Sequence, residues 1–153
     1  MIIGYYGQSF FGGGTYYKLS KKENEDNFKF EYIHSIVPNY VINAEEYIQK
    51  YETLSIEEVK SKDYFKGKVK IDLLKNNIYI DEIMNICKKA NWEKISKKKY
   101  SNENLDDENW DFYIEFSQEQ KYLISGYSIH PKEVEKIYNL FNNLRDSIDK
   151  NGK

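Results

Sequence analysis

The stretch from Asn109 to Ile148 constrains the fold of this chain more than any other. Trp110, Phe112, Ile114 and Phe116 alternate with Asp111, Tyr113, Glu115 and Ser117, so large apolar groups recur at a period of two. Successive side chains leave a pleated strand on opposite sides, so this alternation predicts an antiparallel strand with its Trp110 side buried. Ser117-Gln118-Glu119-Gln120 is a polar break of hairpin length, without an Asn-Gly or Asp-Gly pair, and Tyr122 to Tyr127 returns as the partner strand. Gly126 either ends that strand or admits another backbone close to it. Pro131 then suits the first position of a helix, because its φ is fixed and it lacks an N–H. Glu133 and Glu135 fall where the helix dipole favours negative charge. Val134, Ile137, Tyr138, Phe141, Leu144 and Ile148 follow at three- and four-residue steps, which makes one apolar stripe.

The chain before this unit reads as more sheet and two further helical regions. Ile2 to Tyr6 and Thr15 to Leu19 have strand chemistry, and Gly12 to Gly14 between them fits a turn. A phosphate-binding loop would open onto a helix and end in Lys and Ser or Thr; here Thr15-Tyr16-Tyr17 follows. Residues 20–27 form a charged hairpin tip. Phe28, Phe30, Tyr32 and His34 alternate with Lys29, Glu31, Ile33 and Ser35, so strands one to three predict a meander. Asn43 and Ser55 each precede a Glu by three residues, a capping-box pattern for helices over 44–52 and 56–64. Residues 65–75 fit a strand or a helix. Ile80, Ile83, Met84 and Cys87 make a helical stripe over 78–90, with Lys88 and Lys89 closing it and Asn91 suited to a left-handed stop. Trp92 is expected to fold back on the core, with a polar loop over 96–108. The expected fold is α+β in one domain, 1–153: an antiparallel sheet of about five strands, an N-terminal meander plus a C-terminal hairpin, with amphipathic helices on one face.

Composition excludes several classes. No apolar run approaches the roughly 20 residues of a membrane helix, and the first residues lack the features of a signal peptide. The single cysteine, Cys87, has no internal disulfide partner, which points to a cytoplasmic protein. Net charge is -2, so there is no general attraction to nucleic acid or an anionic membrane. The charge is uneven: residues 76–105 carry six Lys against four acids, and residues 106–153 carry six basic groups against ten acids. Fifteen tyrosines in 153 residues suit both strands and a binding face, since each offers a large ring with a polar tip.

Residues able to carry chemistry are scattered. His34 and His130 are the only histidines, too few with one Cys for a structural zinc site. His34 reads as a half-buried pairing residue of a strand, and His130 as a local structural group at a helix N-cap. Cys87, on an apolar stripe, reads as inert packing. Neither Asp81-Glu82 nor Asp106-Asp107-Glu108 has the alternating spacing of a calcium loop. No metal or other cofactor is expected. For single-stranded nucleic acid the relevant pieces are the Lys94–Lys99 cluster, with Lys97, Lys98 and Lys99 followed by Tyr100, because such binders pair a basic groove with stacking rings.

Trp92, Tyr100, Trp110, Gly126 and Pro131 together form a pattern: Trp closing a helix, Tyr, Trp in a strand, a strand ending in Gly, then Pro opening a long helix. Over residues 80–145 this resembles a family of small bacterial α+β proteins with no established activity. That family often has Asp-Gly before the strand Trp, where this chain has Glu108-Asn109. The resemblance implies the fold and no reaction. Small proteins of this kind resemble, by analogy, immunity proteins, antitoxins and phage-encoded inhibitors. The leading expectation is a non-catalytic protein-binding factor, an inhibitor, immunity or anti-defence type protein that blocks a larger protein or nucleoprotein. Its partner-binding surface would be acidic: Asp106, Asp107, Glu108, Asp111, Tyr113 and Glu115. The alternatives are an enzyme with a dispersed site, drawing on His34, Asp111 or Tyr113, and a nucleic-acid binder using Lys97 to Tyr100.

Overall fold

A computed structural model of the chain describes residues 1–8, 14–34, 68–75, 77–101 and 109–151. The elements are β1 (Ile2–Gln8), β2 (Gly14–Ser20), β3 (Phe28–His34), β4 (Lys68–Leu74), α1 (Ile78–Lys89), α2 (Trp92–Ser96), β5 (Asn109–Ser117), β6 (Gln120–Tyr127) and α3 (Lys132–Asn151). The fold is α+β, and all strand pairs are antiparallel in the order β4-β3-β2-β1-β5-β6. Residues 68–74, which fit strand or helix equally by pattern, form the sixth strand, paired with β3 from Phe28–Leu74 to His34–Lys68. The expected helices over 44–52 and 56–64, Gly12 and Gly13 of the expected turn, and Asp106 to Glu108 lie outside the described residues.

Period-two alternation sorts the strands onto two faces. On one, Ile3, Tyr5, Tyr17, Leu19, Phe30, Phe112 and Ile114 are all at most 1% exposed and form a continuous core with Ile80, Ile83, Val134, Ile137, Phe141 and Leu144 of α1 and α3. Rings dominate this layer: Phe30 lies 5.9 Å from Tyr17 and 5.8 Å from Phe141 between centroids, at the offset separations aromatic pairs prefer.

Local chemistry sets the helix ends. The Asn77 side chain accepts from the Ile80 N–H at 3.0 Å and caps α1, whose last turn carries Lys88 and Lys89. Asn91 does not take the left-handed stop. Its φ is -90°, and its side chain accepts from the Lys94 N–H at 3.1 Å, so it opens the short helix α2. Asparagine is favoured at both positions, and the buried Trp92 and Ile95 decide the outcome by packing α2 down. The Pro131 carbonyl accepts from the Glu135 N–H, which makes Pro131 the cap of α3 and places His130 one residue before it.

Three residues of the Trp–Tyr–Trp–Gly–Pro pattern, Tyr100, Trp110 and Gly126, meet in space, while Trp92 packs elsewhere on the core. Trp92 stacks on Phe112 at 5.2 Å, and its indole N–H donates to the Cys87 carbonyl. The Tyr100 carbonyl accepts from the Tyr127 N–H at 2.8 Å, and its ring tilts against Trp110 at 6.0 Å. Gly126 faces Trp110 across the β5–β6 ladder and also bridges to Tyr100. A Cβ there would lie 2.7 Å from the Tyr100 oxygen and inside the Trp110 ring. Gly126 thus sits within the strand rather than ending it, and admits a second backbone. Past it, Ser128 takes φ 72° as the Ile129 N–H closes back on the Tyr127 carbonyl, and this tight turn swings His130 under the sheet edge.

Candidate functional site

Where α3 lies on the sheet, the side chains most able to carry chemistry bind one another. The His130 ring stacks on Trp110 at 4.7 Å, and its Nε2 is 2.9 Å from the Tyr5 hydroxyl. Tyr138 runs parallel to His130 on the same side, 6.1 Å away and tilted 6°. Burial holds the His130 pKa below its usual 6.5, opposed by the negative charge of Glu135, so the neutral imidazole is favoured. Seven residues on along α3 from Tyr138, Arg145 donates to the Tyr17 hydroxyl at 2.7 Å, and that hydroxyl donates to the Asn142 carbonyl oxygen. This closed seam joins helix to sheet with its polar groups mutually satisfied.

The other sheet face is polar yet substantially buried. Tyr6, Tyr16, Glu31, Asp111 and Tyr113 are all at most 7% exposed. Ser125 donates to the Asp111 carboxylate across the β5–β6 pair, Tyr113 donates to Glu115 at 2.9 Å, and Lys29 pairs with Glu31 at 2.8 Å. Burial pushes the Asp111 carboxyl up to about 6, and the Ser125 hydrogen bond acts the other way.

The expected acidic partner surface is described only in part. Asp111 and Tyr113 are inside, 4% and 7% exposed. Paired polar groups tolerate such burial. Glu115 is half-buried, near Lys121 at 3.7 Å. Asp106, Asp107 and Glu108 lie outside the described residues, as does the His34 side chain. Of the nucleic-acid set, Lys97, Lys98 and Lys99 are exposed, with Lys97 held by Glu93 at 3.2 Å. Tyr100 is half-buried, its hydroxyl donates to the Ile95 carbonyl and its ring faces Trp110, so it is not a stacking platform. Cys87 is 1% exposed with its thiol pushed up to about 12 by burial, which disfavours the nucleophilic thiolate. Among the described residues no three His, Cys, Asp or Glu side chains converge as metal ligands.

A different surface is open. Two hollows, of about 850 and about 500 Å³, meet at Lys88 and Phe116. The larger lies between α1 and the sheet end formed by the start of β1, the β2–β3 turn and the end of β5, with Met1, Phe28, Met84 and Phe116 as its apolar lining. The smaller continues between the α1–α2 junction and the β5–β6 hairpin, past Trp92 and Tyr122. Lys21, Lys22, Lys88 and Lys89 stand along the two, with the Lys21 ammonium 5.1 Å over the Phe28 ring. Antiparallel topology assembles this trough: the end of β1 that carries Met1 pairs beside Ser20 of β2 and Glu115 of β5, so residues distant in sequence share one end of the sheet. No sequence pattern marks the trough beyond Lys88-Lys89 ending an amphipathic helix.

Comparison with known proteins found no match, neither to a family model nor to a curated protein nor to a solved structure. No helix among the described residues is long and apolar enough to cross a membrane.

Proposed function

We propose that this chain is a non-catalytic protein-binding factor of the inhibitor, immunity or anti-defence kind, acting by occupying a site on a larger protein. The observation that carries the reading is the trough at Lys88 and Phe116. Its larger hollow combines an apolar lining of Met1, Phe28, Met84 and Phe116 with charged neighbours, the anatomy of an interface whose desolvated centre gives affinity and whose rim gives selectivity. Its size lies in the range of pockets that take anchoring side chains. The described groups that catalysis would use are otherwise engaged: His130 with Tyr5 and Trp110, Asp111 with Ser125, and Cys87 in the core. A cytoplasmic setting belongs to the same proposal.

The test is affinity capture from cells that contain the natural partner, with the native chain and a Lys88→Glu, Lys89→Glu variant in parallel. One stoichiometric protein, reconstituted as a complex with the purified native chain and lost with the variant, is the expected result. A partner retained equally by both chains contradicts the assignment of the trough.

A further inference from the structure

Resting on the reading of the chain as a binding protein, we infer that the trough receives an extended protein segment carrying acidic residues on either side of one or two large apolar side chains. Charge is the first reason. Lys22, Lys88 and Lys89 are exposed and make no ion pair among the described residues, where the acids along the trough are Glu23, Asp81 and Glu93, the last paired with Lys97. With Lys21, four cations face two uncompensated carboxylates, in a chain whose net charge is -2. Among the described residues the charge along the trough is therefore opposite in sign to the chain's net charge, which suits an anionic segment.

Shape is the second reason. The two hollows share Lys88 and Phe116 in their linings, so their combined lining extends from the β2–β3 turn to the β5–β6 hairpin. Met1 and Met84 are half-buried beside the half-buried Phe116, and thioether side chains reshape around an incoming apolar group. A nucleic acid fits less well. Glu23 and Asp81 would oppose a phosphate chain, and Phe28 and Trp92, at 5% and 4% exposure, lie too deep to stack on bases. A membrane surface also fits less well, since the large exposed hydrophobic residues, Ile78 and Ile129, are not among the lining residues.

The experiment is selection of a random peptide display library on the immobilised chain, followed by fluorescence anisotropy with the enriched sequence as a labelled synthetic peptide. Asp and Glu should be enriched around a large apolar residue. Affinity should fall at least tenfold on Lys88→Glu, be kept by Lys88→Arg, fall with added salt, and weaken at least tenfold when the peptide acids become amides. Circular dichroism of each variant separates these losses from unfolding. An empty selection, winners without acids, or amide peptides that bind equally would overturn the inference. So would tighter binding of a single-stranded oligonucleotide, or of phosphatidylserine–phosphatidylcholine vesicles. If acidic peptides fail while the natural partner still depends on Lys88 and Lys89, the acidic segment is refuted and the binding protein stands. If the natural partner ignores those lysines, the trough reading itself is refuted.

Discussion

The seam beneath α3 and the trough beside α1 lie on the same side of one sheet and use their residues in opposite ways. In the seam, His130, Tyr5, Tyr17, Asn142 and Arg145 are bound to one another, and Trp110 covers the imidazole. In the trough, Lys22, Lys88 and Lys89 face solvent above Phe116 and Met84. The described histidine lies in the first region with its ring already engaged; exposed lysines beside apolar side chains lie in the second. Residue type alone is therefore a poor guide to a site, because a polar group whose hydrogen bonds are internally satisfied offers little to a ligand.

The sharpest way to break the seam side is at Gly126. Gly126→Ala places a Cβ against the Tyr100 carbonyl and the Trp110 ring, and neither can retreat without losing the Tyr127–Tyr100 bond or the His130 stack. The expected loss is about 3 kcal/mol of stability, read by denaturant unfolding. An unchanged midpoint would mean that the knot around Trp110 is loose.

Next in size is Asp111→Asn. A carboxyl raised from 3.8 to about 6 on folding destabilises the folded chain at neutral pH. The associated stability is fully present below the unfolded value and is lost as pH rises through about 6. Replacement should therefore raise stability at pH 8 by about 2 kcal/mol and remove the gain otherwise seen on acidification. His130 has the opposite sign. Its pKa is lowered on folding, so its contribution is present above 6.5 and falls as pH drops below that value. The Asp111→Asn chain should consequently lose stability monotonically from pH 6.5 downward, in pH-dependent unfolding curves where the parent shows two opposing trends.

A smaller effect comes from Tyr5→Phe, which leaves the ring packing and removes the hydroxyl bonded to His130. About 1 kcal/mol of stability should be lost, by thermal or denaturant unfolding. Smallest of all is Lys88→Glu, at the exposed C-terminal turn of α1. Its stability cost should stay within about 1 kcal/mol from the helix dipole, while partner binding drops at least tenfold.

Much of the fold is legible in the residues themselves. Trp110 to Phe116 alternates cleanly because one side meets a helix layer, and Val134 to Leu144 keeps helical steps for the same reason. Gly126 stands out because a glycine inside an alternating strand marks close approach. Residues 68–74 do not declare themselves, since seven residues of alternating Val, Ile and Leu with charged neighbours also suit a short helix. Asn91 misleads because one side chain serves two kinds of helix end. The site was harder to see. Asp111 and Tyr113 lie opposite the Trp110 side of their strand, and no local pattern announces that they are buried with hydrogen bonds to Ser125 and Glu115. Lys22, Lys88 and Phe116 belong to three separate segments, and nothing local links them until β5 pairs with β1.

The most direct test of this division of labour is calorimetric titration of the purified natural partner against three chains: native, Tyr5→Phe, and Lys88→Glu with Lys89→Glu. Native-like affinity for Tyr5→Phe and at least tenfold weaker binding for the lysine variant is the predicted result. Loss of binding with Tyr5→Phe, while the lysine variant binds as the native chain does, would place the working surface at the seam and contradict the assignment of function to the trough.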